Sequence, residues 1–168
     1  TDDPVDHHSL AATETFIADY LDGPAALMLY PTDYLVPLQR LGQLADALFQ
    51  GGVPAYREES RRGGHLWLFL NKKVRGRDAR AFGHGLLAEH EIDGVEVFPK
   101  QDRLDTGPGS LIRMPFGVHR VARRRYGFCG PGGSLLAPTL REQLAVLRDP
   151  DSNLALIMKA GEIVKKQL

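Results

Sequence analysis

Ser60-Arg61-Arg62-Gly63-Gly64-His65 gathers a hydroxyl, two guanidiniums, two glycines and an imidazole into six consecutive residues. Glycines let a ligand approach the backbone closely, and successive N–H groups in such a turn can form an anion nest. Ser60, Arg61, Arg62 and His65 add side-chain donors of the kind phosphate oxygens need. The same pattern also describes a β-hairpin turn with solvated arginines and a packed histidine, and pattern alone slightly favours that plainer reading.

A second cluster is Val95-Glu96-Val97-Phe98-Pro99-Lys100. A carboxylate within an apolar strand faces solvent, pairs with a base or binds a metal. Solvent is the commoner case, and Lys100 either neutralises a phosphate or is simply exposed. A third cluster begins at the glycine turn 107–109, continues through Arg113, and ends in His119-Arg120 and Arg123-Arg124-Arg125-Tyr126. Three arginines beside an aromatic ring can track a phosphodiester backbone and offer a stacking surface. Most charge runs, however, are solvated loops. No nucleophile elbow, Walker-type loop, dinucleotide fingerprint or HExxH helix occurs.

The elements that must position these groups follow from periodicity. A capped helix is expected from Ser9 to about residue 21, and a buried strand over 25–30. Leu38, Leu41, Leu44, Ala45 and Leu48 recur at helical spacing, and Gly51-Gly52 ends that helix. Strands are expected over 53–59 and 65–70, the latter with His65, Trp67 and Phe69 on one face. A helix over 78–90 and a strand over 95–98 follow, then a strand over 111–114 and a hairpin start over 126–128. Thr139 and Glu142 have capping-box spacing before a further helix, and a last helix is expected over 154–167. This order predicts an α/β or α+β fold with a mixed sheet. The expected division is a core over 1–138 and a helical C-terminal extension over 139–168.

Composition narrows the class. Of 168 residues, 43% are hydrophobic and 25% charged, ordinary for a soluble globular domain. Lys+Arg and Asp+Glu both number 21, so net charge identifies no partner. Distribution is more informative. Between Lys100 and Tyr126, Lys100, Arg103, Arg113, Arg120, Arg123, Arg124 and Arg125 face only Asp102 and Asp105. A local basic stretch in a neutral chain suggests an anion site. Cys129 is the lone cysteine, which excludes an internal disulfide and a cysteine zinc cluster. A reducing, cytoplasmic setting is the expectation, because the acidic start is unlike a signal peptide and no apolar run suits a membrane span. The missing initiator Met leads to the expectation of an excised or processed piece of a larger protein.

Together, GVPAYREESRRGGHLWLFL, VEVFPKQDRL and GPGSLIRMPFGVHRVARRRYGF resemble the archaeo-eukaryotic primase domain, especially its branch in TOTE conflict systems and related bacterial primase-polymerases. The resemblance runs from about Gly51 to Phe128, and more loosely from about Gly23. It implies a core with an RRM-like sheet and template-directed joining of nucleotides by two divalent metals, Mg2+ or Mn2+. It implies roles in replication, repair or defence against mobile elements. By resemblance, Ser60 and His65 match the family's second motif, which contacts the incoming triphosphate. Arg61, Arg62 and Gly64 share that turn, Glu96 matches the third, acidic motif, and Lys100 and Arg113 match phosphate-binding positions. His119, Arg120, Arg123, Arg124, Arg125 and Tyr126 would meet nucleic acid. The implied partners are nucleoside triphosphates, single-stranded or primer-template nucleic acid, and a helicase or other domains of a larger protein.

The sequence departs from the family at its first motif, an Asp-x-Asp whose carboxylates must lie two residues apart on one strand face to bridge paired metals. The matching place reads Pro31-Thr32-Asp33, leaving Asp33 to act with Glu96 as the expected ligands. In a second alignment, Tyr30-Pro31 matches an earlier strand and the motif is deleted. Asp22, Glu58 or Asp93 could replace the missing acid only if the fold brings one near Asp33. Three readings follow: an active nucleotidyltransferase; a degenerate primase-like module that binds nucleotide or single strands; and an RRM-type RNA-binding sheet, which requires exposed aromatics on its central strands.

Overall fold

The computed structural model describes residues 26–32, 36–70, 74–102 and 114–148. The expected helix beginning at Ser9, the strand over 111–114 up to Arg113, the glycine turn 107–109 and the helix over 154–167 lie outside them. So do Asp22, Asp33 and Arg113.

Strand β1 (Ala26–Pro31) is followed by helix α1 (Val36–Gln50), strands β2 (Tyr56–Glu59) and β3 (Gly64–Phe69), helix α2 (Gly76–Glu89) and strand β4 (Val95–Phe98). Short strands β5 (Val118–His119), β6 (Arg124–Arg125) and β7 (Phe128–Cys129) precede a 3-10 turn (Pro131–Gly133) and helix α3 (Leu140–Arg148). One sheet runs β4-β1-β3-β2-β7, and β5 pairs with β6 in a separate ribbon. The first four strands have the order expected of an RRM-like sheet, with α1 and α2 each joining strands separated by one neighbour. The fold is therefore α+β, as expected. In one detail it differs: each ladder of the large sheet is antiparallel rather than mixed. Interleaving the two strand–helix–strand units inserts an antiparallel partner between strands that would otherwise pair in parallel.

Strand β3 is buried along its whole length, which explains its continuous apolar run. One face of the sheet packs Leu27, Leu29, Leu66, Leu68 and Val97 against Leu41 and Leu44 of α1 and Phe82 and Leu86 of α2. Gly83 permits that approach: a Cβ there would stand 2.6 Å from Val97 Cγ1. The opposite face carries Met28, Tyr56, Trp67, Phe69, Phe98 and Phe128, covered by Phe116 and by Leu147 of α3. Trp67 and Phe69 stack with centroids 5.7 Å apart.

Helix α1 ends where Gly52 adopts φ 74°, a left-handed value that favours glycine. The capping box opens α3 as expected: Glu142 N–H donates to Thr139 Oγ1 at 3.2 Å, and Thr139 N–H donates to Glu142 Oε2 at 3.0 Å. Packing crosses the expected boundary at 138. Leu147 is buried in the aromatic layer, and buried Gln143 accepts from Phe128 N–H at 2.8 Å while donating to Ala137 O at 3.0 Å.

Candidate functional site on the aromatic sheet face

Register places five side chains in one line across the sheet. Tyr30 pairs with Glu96, Glu58 with His65, and Glu58 with Phe128. The Tyr30 and His65 rings stack at 5.0 Å and 23°. The line therefore reads Glu96, Tyr30, His65, Glu58, Phe128. With strands about 4.8 Å apart, Glu96 and His65 sit on backbones roughly 10 Å apart, with Tyr30 between them.

His65 is the fixed centre of this line. It is 6% exposed, and Nδ1 donates to Glu58 Oε2 at 2.8 Å. The same oxygen accepts from Trp67 Nε1 at 2.8 Å. A carboxylate acceptor at Nδ1 fixes the ring's tautomer and orientation, leaving Nε2 as the nitrogen available to a ligand. Glu58 is 0% exposed, so this is a buried polar group held by charge-assisted hydrogen bonds. Sequence reasoning considered Glu58 only as a spare metal ligand. Hairpin arithmetic could have found its role, since a turn over 60–63 sets residue 58 opposite residue 65.

That turn is built tightly. Ser60 N–H donates to Gly63 O at 2.8 Å, so this backbone donor is already engaged. Gly64 is required by close approach rather than by a ligand, because a Cβ there would lie 2.4 Å from the Glu58 carbonyl oxygen. Arg61 and Arg62 project as exposed side chains and Ser60 is half-buried. The turn thus sets two exposed cations at the head of the strand that carries His65.

At the β4 edge, Lys100 Nζ lies 3.0 Å from Glu96 Oε1, with their side chains 42% and 40% exposed. Lys100 also sits 5.0 Å above the Phe98 ring. An ion pair this exposed contributes only about 0–1 kcal/mol, so an arriving phosphate can readily draw the lysine away.

The basic segment forms a ribbon, not a loop. Arg125 donates to Phe116 O, and Phe116 packs on Phe128 with centroids 5.3 Å apart. The ribbon therefore joins the layer over the aromatic face near β7, while Glu96 lies at the other edge. Arg120, Arg123, Arg124 and Arg125 are exposed. Tyr126 does not offer the expected stacking surface. It is 6% exposed, with the Arg124 guanidinium 4.5 Å over its ring and His119 at its edge. His119 is engaged within the ribbon, where Nδ1 accepts from Ala122 N–H at 3.2 Å. The RRM-type reading also fails its requirement, because Trp67 and Phe69 are buried at 0% and 5% exposure.

The described residues do not fit a pair of bridging metals. On β1, the residues sharing the face of His65 and Glu96 are Met28 and Tyr30, and the alternation passes next to Thr32. An Asp-x-Asp on this face of β1 would occupy alternate positions such as 28 and 30. Tyr30 is instead stacked on His65, and Thr32 Oγ1 donates to Gly94 O at 2.8 Å. Pro31 is buried opposite Val95 and by parity belongs to the helix-covered face, whereas Asp33 lies outside the described residues. Glu58 is committed to His65 and Trp67, and Asp93 is exposed beyond the strand. Among the described residues no group of three His, Cys, Asp or Glu side chains is arranged to hold a metal ion.

None of the curated proteins matches the chain. Among the described residues no helix is long and apolar enough to cross a membrane. Residues 37–147 match the family described as TOTE conflict system, Archaeo-Eukaryotic Primase domain, a span that covers the hairpin, the Glu96 strand, the arginine ribbon and most of α3. The chain belongs to that primase family.

Proposed function

We propose that this primase-family domain binds nucleoside triphosphate and single-stranded nucleic acid on its aromatic sheet face without assembling a paired-metal centre there. The observation that carries this reading is Tyr30, which stands between Glu96 and His65 where a carboxylate would be needed. The remaining groups suit an anion. The Ser60, Arg61 and Arg62 side chains, and Lys100 released from Glu96, supply donors for a polyphosphate, and His65 adds Nε2–H when an arriving anion draws a second proton onto its ring. Arg113 extends that set by family resemblance. Arg120, Arg123, Arg124 and Arg125 supply cations spaced along a ribbon for a strand's phosphates. Within a larger protein, such a module would present a primer-template or single strand to a helicase or other catalytic domain.

A second reading, active nucleotidyl transfer, is favoured by the ordered Glu58–His65 pair and by Glu96 on the same face. It would require Asp33 and Glu96 to hold Mg2+ or Mn2+. Two measurements separate the readings. Calorimetric titration with ATP should give comparable affinity in EDTA and in Mg2+. Replacing His65 by Ala should weaken it by about tenfold, the equivalent of one charge-assisted hydrogen bond. Primer extension with radiolabelled nucleotide should yield no product. Extension that disappears in Asp33→Ala would replace the binding reading with the catalytic one.

A further inference from the structure

A cleft of about 460 Å³ lies away from the aromatic face, between α1, the start of β2 and the Gly130–Gly133 turn. Its polar walls are Gln39, Gln43 and Asp46 of α1 and Arg57 of β2, and Phe49 adds an aromatic side. Arg57 pairs with Leu66 and Cys129 in the ladders and is half-buried on the helix-covered face. Its guanidinium is threaded between two glycines. Cβ atoms placed on Gly42 and Gly133 would stand 3.6 Å from Nη1 and 3.4 Å from Nη2. The turn is fastened to the helix where Gly132 N–H donates to Asp46 Oδ1 at 3.0 Å.

Among the described residues no carboxylate forms an ion pair with Arg57. The neighbouring Cys129 thiol donates to Glu59 Oε1 at 3.5 Å, and burial pushes its pKa up, so the thiol itself does not neutralise the guanidinium. A half-buried arginine lining a cleft of this size is suited to an oxyanion, because its fork matches a carboxylate or phosphate in two parallel hydrogen bonds. Asp46 disfavours a ligand that is anionic throughout. Gln39 and Gln43, one helical turn apart, can donate and accept along the same wall.

We infer that this cleft is a second ligand site, separate from the aromatic face, for a small molecule with one oxyanion at Arg57 and at least one N–H donor directed at Asp46 and the glutamines. Phosphate and carboxylate sources share this chemistry, so adenosine 5′-monophosphate and free glutamine serve as the two probes. Each is titrated into isotopically labelled protein while the backbone signals of Gly132 and Gly133 and the side-chain amide of Gln43 are followed. At least one probe should move these signals. Its affinity should fall roughly tenfold in Arg57→Gln, which removes the charge-assisted hydrogen bonds of the guanidinium. It should fall similarly in Gln39→Leu, which removes one polar wall of the cleft without entering the slot between Gly42 and Gly133 that holds Arg57. His65→Ala should leave this binding unchanged. The inference is overturned if neither probe moves those signals, if both cleft variants bind as the parent does, or if His65→Ala alone abolishes the response.

Discussion

Glu58→Ala tests whether the His65 centre is built as described. The substitution removes the acceptor shared by His65 Nδ1 and Trp67 Nε1, both at 2.8 Å, and leaves two buried donors without it. Each orphaned donor costs about 1–3 kcal/mol, giving about 2–6 kcal/mol. We therefore expect about 4 kcal/mol, a large part of the roughly 5–15 kcal/mol that holds a domain together. Glu58→Gln keeps one acceptor oxygen and should cost less than half as much. Urea denaturation followed by Trp67 fluorescence reports directly, since Trp67 is the lone tryptophan and touches the altered group. With a slope of about 1–3 kcal/mol per molar urea, the midpoint should fall by roughly 2 M for Ala. A double-mutant cycle with His65→Ala should give a coupling of at least about 1 kcal/mol. A midpoint shift below about 0.5 M for Glu58→Ala, with an unchanged slope, would refute the buried-pair account.

Replacing Arg123, Arg124 and Arg125 together by Ala should weaken single-strand binding and reduce the magnitude of its salt slope by about 2, at about 0.7 for each phosphate no longer neutralised. Fluorescence anisotropy across a salt series measures this, and an unchanged slope would remove the ribbon from the interface. Gly64→Ala should destabilise by about 1–3 kcal/mol because the new Cβ meets backbone, the Glu58 carbonyl at 2.4 Å, rather than a side chain that can turn away. A melt equal to the parent's would show that the hairpin is looser than its geometry implies. Cys129 is held protonated mainly by burial and secondarily by Glu59, against the hydrogen bond from Arg57. Its contribution to stability is therefore complete below the unfolded thiol's pKa and is lost as pH rises through the raised folded value. Urea midpoints should fall above about pH 9 and Cys129→Ala should flatten that fall; an identical decline in both proteins would contradict the assignment.

The sequence made β3 legible because His65, Trp67 and Phe69 alternate with leucines in a strand buried on both faces. The α3 cap was legible because Thr139 and Glu142 carry a local rule that needs no tertiary partner. The arginine ribbon was not legible, since β5 and β6 are two residues each and Arg124-Arg125 show no alternation of polarity. The addition of β7 to the sheet was equally hidden, because Phe128-Cys129 contributes two residues and pairs with a strand some seventy positions earlier. Within the site, the residue types at 60–65 and at 96 were readable, but their facing was not. The first-motif alignment was set by sequence distance to Val53, whereas the pleat decides by parity. Leu27 and Leu29 face the helices, so Tyr30 rather than Pro31 lies in the line with His65. Arg57 went unnoticed because one basic residue in a short strand has no pattern; only the glycines at 42 and 133 mark its path.

Buried charge pairs are poor stabilisers, and well-packed apolar side chains of similar size commonly do as well or better. A fold that needed only stability at the centre of its aromatic face could have placed leucine and methionine at 58 and 65, with phenylalanine at 67. It carries instead a carboxylate that holds one imidazole nitrogen and an indole, beside a tyrosine stacked on the imidazole. The Glu58–His65 pair meets a demand distinct from metal pairing. Metal pairing needs carboxylates two residues apart on one strand face; holding an imidazole in place needs Glu58 and His65. Among the described residues the second arrangement is complete on this face, and the proposed anion binding rests on it.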